Sequence, residues 1–156
     1  MKNPMRFLLR VPVPWVFVLT YFAGVALEFV LPTPRFSMLA RISTIAGAVV
    51  FGLGALIAGW GLTIFYRART TTVPGRSSVK LVTWGPYRFT RNPMYVGLTI
   101  AYLGEALLQK QFWPVMVLPL MLAYLNWTVI PVEEAKLDEV FPDEYAQFRS
   151  RVRRWI

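Results

Sequence analysis

The 156-residue chain has no cysteine and no histidine. Without cysteine there is no disulfide and no thiolate nucleophile. Without histidine the Ser-His-Asp arrangement is excluded, and the two absences together remove the usual zinc and haem ligands. Any chemistry must therefore rest on carboxylates, Arg, Lys, Tyr, hydroxyls or a borrowed cofactor, and no metal-ligating set is expected. Charge is scarce as well: 16% of residues are charged, where an ordinary soluble domain carries about 25%. Acidic residues are the scarcest, 8 against 17 Lys and Arg, for a net charge of +9. Internal repeats and low-complexity segments are also missing.

Apolar residues fill the space, in long blocks. The chain is 56% hydrophobic with a mean hydropathy of +0.46. Ile42 to Tyr66 is 25 residues without a charge, and Gln111 to Ile130 is another 20. About 20 apolar residues cross a bilayer core, so both runs are long enough. Val11 to Leu27 is a third uncharged run, extending to Leu31 past Glu28. Met94 to Gln109 is shorter and carries Glu105, which makes it the weakest. The expected fold is one all-α membrane-embedded domain over 1–156, with about four transmembrane helices and a C-terminal amphipathic cytoplasmic helix.

The placement of the basic residues sets the expected topology. Fourteen of the 17 Lys and Arg fall before span 1, between spans 2 and 3, and after span 4. The positive-inside rule then places both termini and the central loop in the cytoplasm, in the inner membrane if the source is prokaryotic. The positive charge thus suits anionic lipid headgroups, and no nucleic acid is expected. Met1 to Arg10 resembles the charged start of a signal peptide. The apolar run after it outlasts an h-region of about 7–15 residues, so cleavage is not expected.

Between the spans, Thr70 to Ser78 is polar with a turn at Pro74-Gly75, and Lys80 to Trp84 has an extended composition. In span 2, Ala48/Gly52, Gly54/Ala58 and Ala55/Gly59 are each four apart, a packing pattern. Pro119 is expected to kink span 4. After Pro131, the residues Leu137, Phe141, Tyr145, Phe148, Val152 and Trp155 make one helical stripe, restarted at Pro142. Acidic Asp143 and Glu144 near its start and arginines near its end match the helix dipole.

Two polar groupings stand out. The first is Gly85-Pro86-Tyr87-Arg88-Phe89-Thr90-Arg91-Asn92-Pro93-Met94-Tyr95-Val96-Gly97, and the second is Glu133-Glu134. Two membrane crossings lie between them, so both should meet at one membrane face. Each has a plain structural reading: the glutamates as a solvated helix start, the arginines as phosphate anchors, the tyrosines as an interfacial belt. Glu105, inside a span, should face the bundle interior.

Together, Gly85, Tyr87, Arg91, Asn92, Pro93, Tyr95 and Gly97, then Glu133-Glu134, then Phe141, Glu144 and Tyr145, resemble the isoprenylcysteine carboxyl methyltransferase and phospholipid methyltransferase group. The resemblance covers about residues 79–154. It implies a membrane methyltransferase using S-adenosylmethionine, acting on a lipophilic small-molecule or lipidated substrate that reaches the cytoplasmic face from the bilayer. It also implies that Val79, Lys80, Leu81, Val82 and Tyr87 line a cofactor pocket, that Asn92, Pro93, Met94 and Tyr95 wrap the cofactor, and that Glu133 binds a polar end of it. Arg91 and Glu134 are the expected catalytic pair, orienting the acceptor or its leaving proton. Two positions depart from the eukaryotic carboxyl methyltransferase pattern: Asn92 stands for a His, and Val129 for an Arg expected four residues before the glutamate. The alternatives are a nicotinamide-dependent membrane reductase and a non-enzymatic lipid-binding scaffold. The acceptor atom, whether oxygen, nitrogen or sulfur, is left open.

Overall fold

The computed structural model describes residues 11–32, 40–68 and 80–156. All regular structure among these residues is helical, as expected for an all-α integral membrane protein. Helix α1 is Val13–Val30 and α2 is Ala40–Arg67. A 3-10 turn at Gly85–Arg88 leads to α3, Pro93–Gln109. Helix α4, Trp113–Tyr124, continues through a π turn at Leu125–Val129 into α5, Ile130–Val140, and α6 is Pro142–Arg151. Val79 and the expected turn at Pro74-Gly75 lie outside the described residues.

Among the described residues, three segments are long and apolar enough to cross a membrane: Val13–Val30, Ile42–Arg67 and Trp113–Val140. Helix α3, the weakest of the four expected spans, is the one that falls short of this length. Its 17 residues reach about 25 Å at 1.5 Å each, against about 30 Å of hydrocarbon. This short helix lies backbone to backbone along α2, antiparallel to it. A Cβ added at Gly47 would meet the backbone of Leu108 and Gly104, and one at Gly54 would meet Gly97 and Ala101. Likewise Gly97 abuts Ala58 and Gly54, and Gly104 abuts Phe51. These glycines recur seven apart on both helices, the period of near-aligned left-handed packing. The four-apart pairs read from the sequence are therefore only partly right. Gly54 and Ala58 sit in the seam, but Gly52 and Gly59 have nothing within 4 Å and Ala48 and Ala55 are exposed.

On the other side, α1 packs against α4. Gly24 abuts Pro114, Trp113 Nε1 donates to the Leu31 carbonyl at 2.7 Å, and Tyr21 donates to Gln111 Oε1 at 2.7 Å. Tyr102 of α3 donates to the Pro114 carbonyl at 2.9 Å, joining the two halves. Leu19, Phe22 and Phe29 on α1, and Ile45, Leu56 and Trp60 on α2, face outward. Water would penalise that surface, whereas lipid tails solvate it.

The long third segment does not break at Pro119. It widens at the π turn, where the Ile130 N–H reaches back to the Leu125 carbonyl. A widened turn gives the ring of Pro131 the room that a regular α-turn denies it, so the helix continues without a break. It therefore carries Glu133 and Glu134 inward as part of a continuous rod, not as a fresh solvated helix start.

The predicted stripe is present. Leu137, Phe141, Tyr145, Phe148 and Val152 pack with Ile64, Leu81, Val82 and Tyr87 in a second, small core. The helix restarts at Pro142, as expected. Beyond Arg151 the backbone becomes extended, with Val152 at φ −121° and ψ 130°, and this carries Trp155 across to the main core.

Candidate functional site

The site is assembled where the start of α3, the α5 end of the long helix and the segment after α6 converge. Gly85 begins the local geometry. Its φ of +63° is a left-handed conformation, and a Cβ there would strike Ile64; only glycine takes that shape without strain. The 3-10 turn that follows buries Tyr87, whose ring meets Phe65 edge-on at 5.3 Å between centroids. Pro93 starts α3 in the position where its missing N–H costs nothing. Tyr95 is thereby set one turn in, on the buried face.

Two neighbouring clusters result. In the first, Tyr95 donates to Glu133 Oε1 at 2.7 Å, the contact that joins the two sequence motifs. Tyr87 lies nearby: burial first, and the Glu133 charge second, push its phenol well above the ordinary range. In the second cluster, Glu134 is held between two guanidiniums. Arg91 reaches its Oε1 at 2.7 Å, and Arg154 reaches Oε2 at 2.6 Å and Oε1 at 3.2 Å. Tyr145 accepts from Arg91 at 3.0 Å. Its own pKa is raised, chiefly by burial and then by the charge of Glu134. The hydrogen bond to Glu134 is the largest influence on Arg154 and raises its pKa. One buried donor in the cluster, Arg91 Nε, has no protein partner.

The segment after α6 is laced to the start of α3. The Arg91 N–H donates to the Arg153 carbonyl at 2.9 Å, and the Thr90 hydroxyl and Asn92 Nδ2 both donate to the Arg154 carbonyl, at 3.2 and 2.9 Å. Asn126, on the π turn, accepts from Trp155 Nε1 at 3.1 Å and from Arg154 at 3.3 Å.

Among the residues singled out by sequence, Arg91, Asn92 and Glu134 share one network with Arg154, and Tyr95 and Glu133 form a pair beside it, with Pro93 and Met94 buried and Tyr87 close by. Lys80 is apart: it is exposed, with its ammonium 5.2 Å from the Trp84 ring centroid. Leu81 and Val82 pack into the small core with Tyr87. Sequence reasoning did not reach Arg154, Asn126 or Trp155. Arg154 read only as a helix-end cation, and no local pattern marks a residue whose partner lies 20 positions away on another element.

A family model described as phospholipid methyltransferase matches residues 42–144. Among curated proteins, the chain is 39% identical over 72 residues to the protein-S-isoprenylcysteine O-methyltransferase of Schizosaccharomyces pombe, covering 46% of this chain and 30% of that protein. It is 34% identical over 77 residues to the nickel-cobalt-cadmium resistance protein NccN of Alcaligenes xylosoxydans xylosoxydans, covering 48% of this chain and 36% of that one. Over 79 residues it is 34% identical to the cobalt-zinc-cadmium resistance protein CzcN of Cupriavidus metallidurans, covering 51% of this chain and 36% of the relative. The match thus spans about a third of the length of each of these relatives. No solved structure matches. Since the family model covers most of the chain, and both of its polar motifs fall within or beside the matched region, the chain belongs to the phospholipid methyltransferase family.

Proposed function

We propose that this protein transfers a methyl group from S-adenosylmethionine to a lipophilic acceptor that reaches the site from the bilayer. The observation that carries the reading is the 2.7 Å contact between Tyr95 and Glu133, which brings the two motifs to one place from opposite arms of a membrane hairpin. The donor set suits the cofactor. A carboxylate at Glu133 matches an ammonium or ribose diol, and the unpartnered buried Nε of Arg91 offers an N–H to a carboxylate. When bound, the cofactor supplies an activated methyl on a sulfonium, which transfers by direct displacement.

Such a displacement asks the protein for in-line positioning more than for a strong acid or base, so a chain without histidine or cysteine can support it. Tyr95, Asn92 and Glu133 would hold the cofactor. Arg91 and Glu134 would orient the acceptor, with Arg154 keeping their geometry. Leu81 and Val82 would back the pocket through Tyr87, with which they pack in the small core. The basic distribution supports placing this end of the bundle in the cytoplasm.

The test is isothermal titration of detergent-purified protein with S-adenosylhomocysteine. Micromolar binding that weakens in both Glu133→Gln and Tyr95→Ala supports the reading. Folded protein that binds NADPH and not S-adenosylhomocysteine would favour a reductase, and binding only to anionic liposomes would favour a scaffold.

A further inference from the structure

Four arginines stand where the segment after α6 is laced to the start of α3, and two of them face inward. Arg91 and Arg154 clasp Glu134. Arg88 and Arg153 are exposed, and among the described residues neither joins an ion pair. The backbone explains the division. Val152 is extended and packs its side chain against the small core. Successive side chains of an extended segment point to opposite sides. Arg153 therefore turns outward, while Arg154 turns in to Glu134. The Arg91 N–H donates to the Arg153 carbonyl at 2.9 Å, so the outward cations belong to two segments tied together through their backbones.

Phe89 lies between Arg88 and that tie, and it is 76% exposed. Its neighbours set its depth in the membrane. A Cβ at Gly61 would lie 3.4 Å from the Met94 nitrogen, and one at Gly85 would lie 3.7 Å from Trp60 Nε1. Trp60 and Trp84, both exposed, thus flank the start of α3. Tryptophans so placed mark the headgroup layer. Two unmatched cations with a bare ring beside them, at that depth, fit a lipid phosphate and the glycerol below it. A soluble anion would leave Phe89 in water. The tie also has a use for an anion. One segment carries Arg88 and Arg91, the other Arg153 and Arg154, and Glu134 offsets the inner pair alone. A phosphate on the outer pair would offset the rest of the repulsion between the segments.

We propose that Arg88 and Arg153 hold the phosphate of an anionic phospholipid, with Phe89 against its glycerol, and that this lipid tightens the lacing that delivers Arg154 to Glu134. The lipid is an effector and not the acceptor, because Arg153 and Arg154 face opposite sides of their segment. The seat stands on the lacing and the exposed cations; only its consequence for the cofactor rests on the methyltransferase reading.

The test places full-length protein in phosphatidylcholine nanodiscs, with and without phosphatidylglycerol, and follows hydrogen exchange at the Arg91 amide, which the lacing protects. An arginine at an anionic surface contributes about a fivefold preference. Phosphatidylglycerol should therefore slow that exchange about fivefold or more. Arg88→Gln and Arg153→Gln should each lessen the response and together abolish it. Arg149→Gln removes the same charge from the pair with Asp138 and should leave the response intact. An undiminished response in the double variant, or an equal loss in Arg149→Gln, would overturn the proposal. So would inorganic phosphate that gives the same protection in phosphatidylcholine alone. Native mass spectrometry of the unsubstituted protein needs no variant: it should retain phosphatidylglycerol over phosphatidylcholine, and equal retention counts against the seat. Titration with S-adenosylhomocysteine in both nanodiscs separates the two readings. Slower exchange without cofactor binding keeps the lipid seat and removes the methyltransferase reading. Cofactor binding without any response to phosphatidylglycerol does the reverse.

Discussion

Glu134→Gln is the most demanding perturbation of this architecture, because it changes charge and almost nothing else. The carboxylate is 14% exposed and bridges Arg91, 12% exposed, to Arg154, 31% exposed. Breaking a buried ion pair costs about 3–5 kcal/mol, since the orphaned charge stays desolvated. An exposed pair is worth about 0–1 kcal/mol. Arg91 belongs to the first class and Arg154 lies between the two, so the expected loss is about 3–4 kcal/mol. The glutamine amide also turns one of its ends, now a donor, toward guanidinium donors. Arg154→Met removes only the better solvated partner, and about 1–2 kcal/mol is expected. The two changes share a partner and should be non-additive, with a coupling of about 1 kcal/mol or more. Reversible unfolding by SDS in mixed micelles, followed by tryptophan fluorescence, measures all four corners of the cycle. A loss below about 1 kcal/mol for Glu134→Gln, or additivity of the pair within about 0.5 kcal/mol, would show that the buried network contributes little and that the reasoning is wrong.

The other expectations concern packing, conformation and binding. Gly97→Val should cost at least about 3 kcal/mol or abolish monodisperse protein, because its side chain enters the backbone of Ala58. Gly59→Ala, with nothing within 4 Å, should shift stability by no more than about 1 kcal/mol, and toward stabilisation, on the same unfolding assay. Gly85→Ala should destabilise by about 1–3 kcal/mol through its positive φ and the clash with Ile64; an unchanged midpoint would refute the strain. Tyr95→Phe deletes one charge-assisted hydrogen bond to Glu133, worth about 1.5–3 kcal/mol, and S-adenosylhomocysteine affinity should fall about tenfold or more by titration. Asn92→His should leave hydrogen exchange at Arg153 to Trp155 slow, whereas Asn92→Leu should accelerate it; equal exchange in the two variants would remove the amide's role in holding that segment.

The membrane character and the meeting of the motifs were legible because both depend on signals that survive in one dimension. Uncharged blocks of span length record burial in lipid, and the helical hairpin between Arg91 and Glu134 returns the chain to the end it left. The stripe from Leu137 to Val152 was legible for the same reason, since its period states which face is covered. What escaped depends on shape between elements. The four-apart pairs Ala48/Gly52 and Ala55/Gly59 fit a packing face as well as the seven-apart pairs Gly47/Gly54 and Gly97/Gly104 do, and only the position of α3 decides between them. The π turn was invisible because Pro119, the obvious breaker, is tolerated, while the widening falls on Leu125–Val129, which contains no breaker. Arg154 was hidden among four late arginines. What distinguishes it from Arg151 and Arg153 is the extended turn at Val152, a feature with no local signature.

The two departures from the carboxyl methyltransferase pattern take on a physical meaning once the segment after α6 is in place. Asn92 uses its side chain to donate to the Arg154 carbonyl, a bond that a neutral imidazole N–H could also donate. That bond asks the position for a donor of suitable reach and does not need a group that titrates near neutrality. Val129 is different. It is 2% exposed within the main core, beside Leu125 and Ile130 on the π turn. A guanidinium there would have to displace that packing. In this chain the cations around the glutamate come instead from Arg91 on one side and Arg154 on the other. The second of these is delivered by a segment held almost entirely through Thr90, Arg91, Asn92 and Asn126. The Arg-Asn-Pro core therefore has a structural task of its own: it fixes the strand of backbone that brings the second arginine to Glu134.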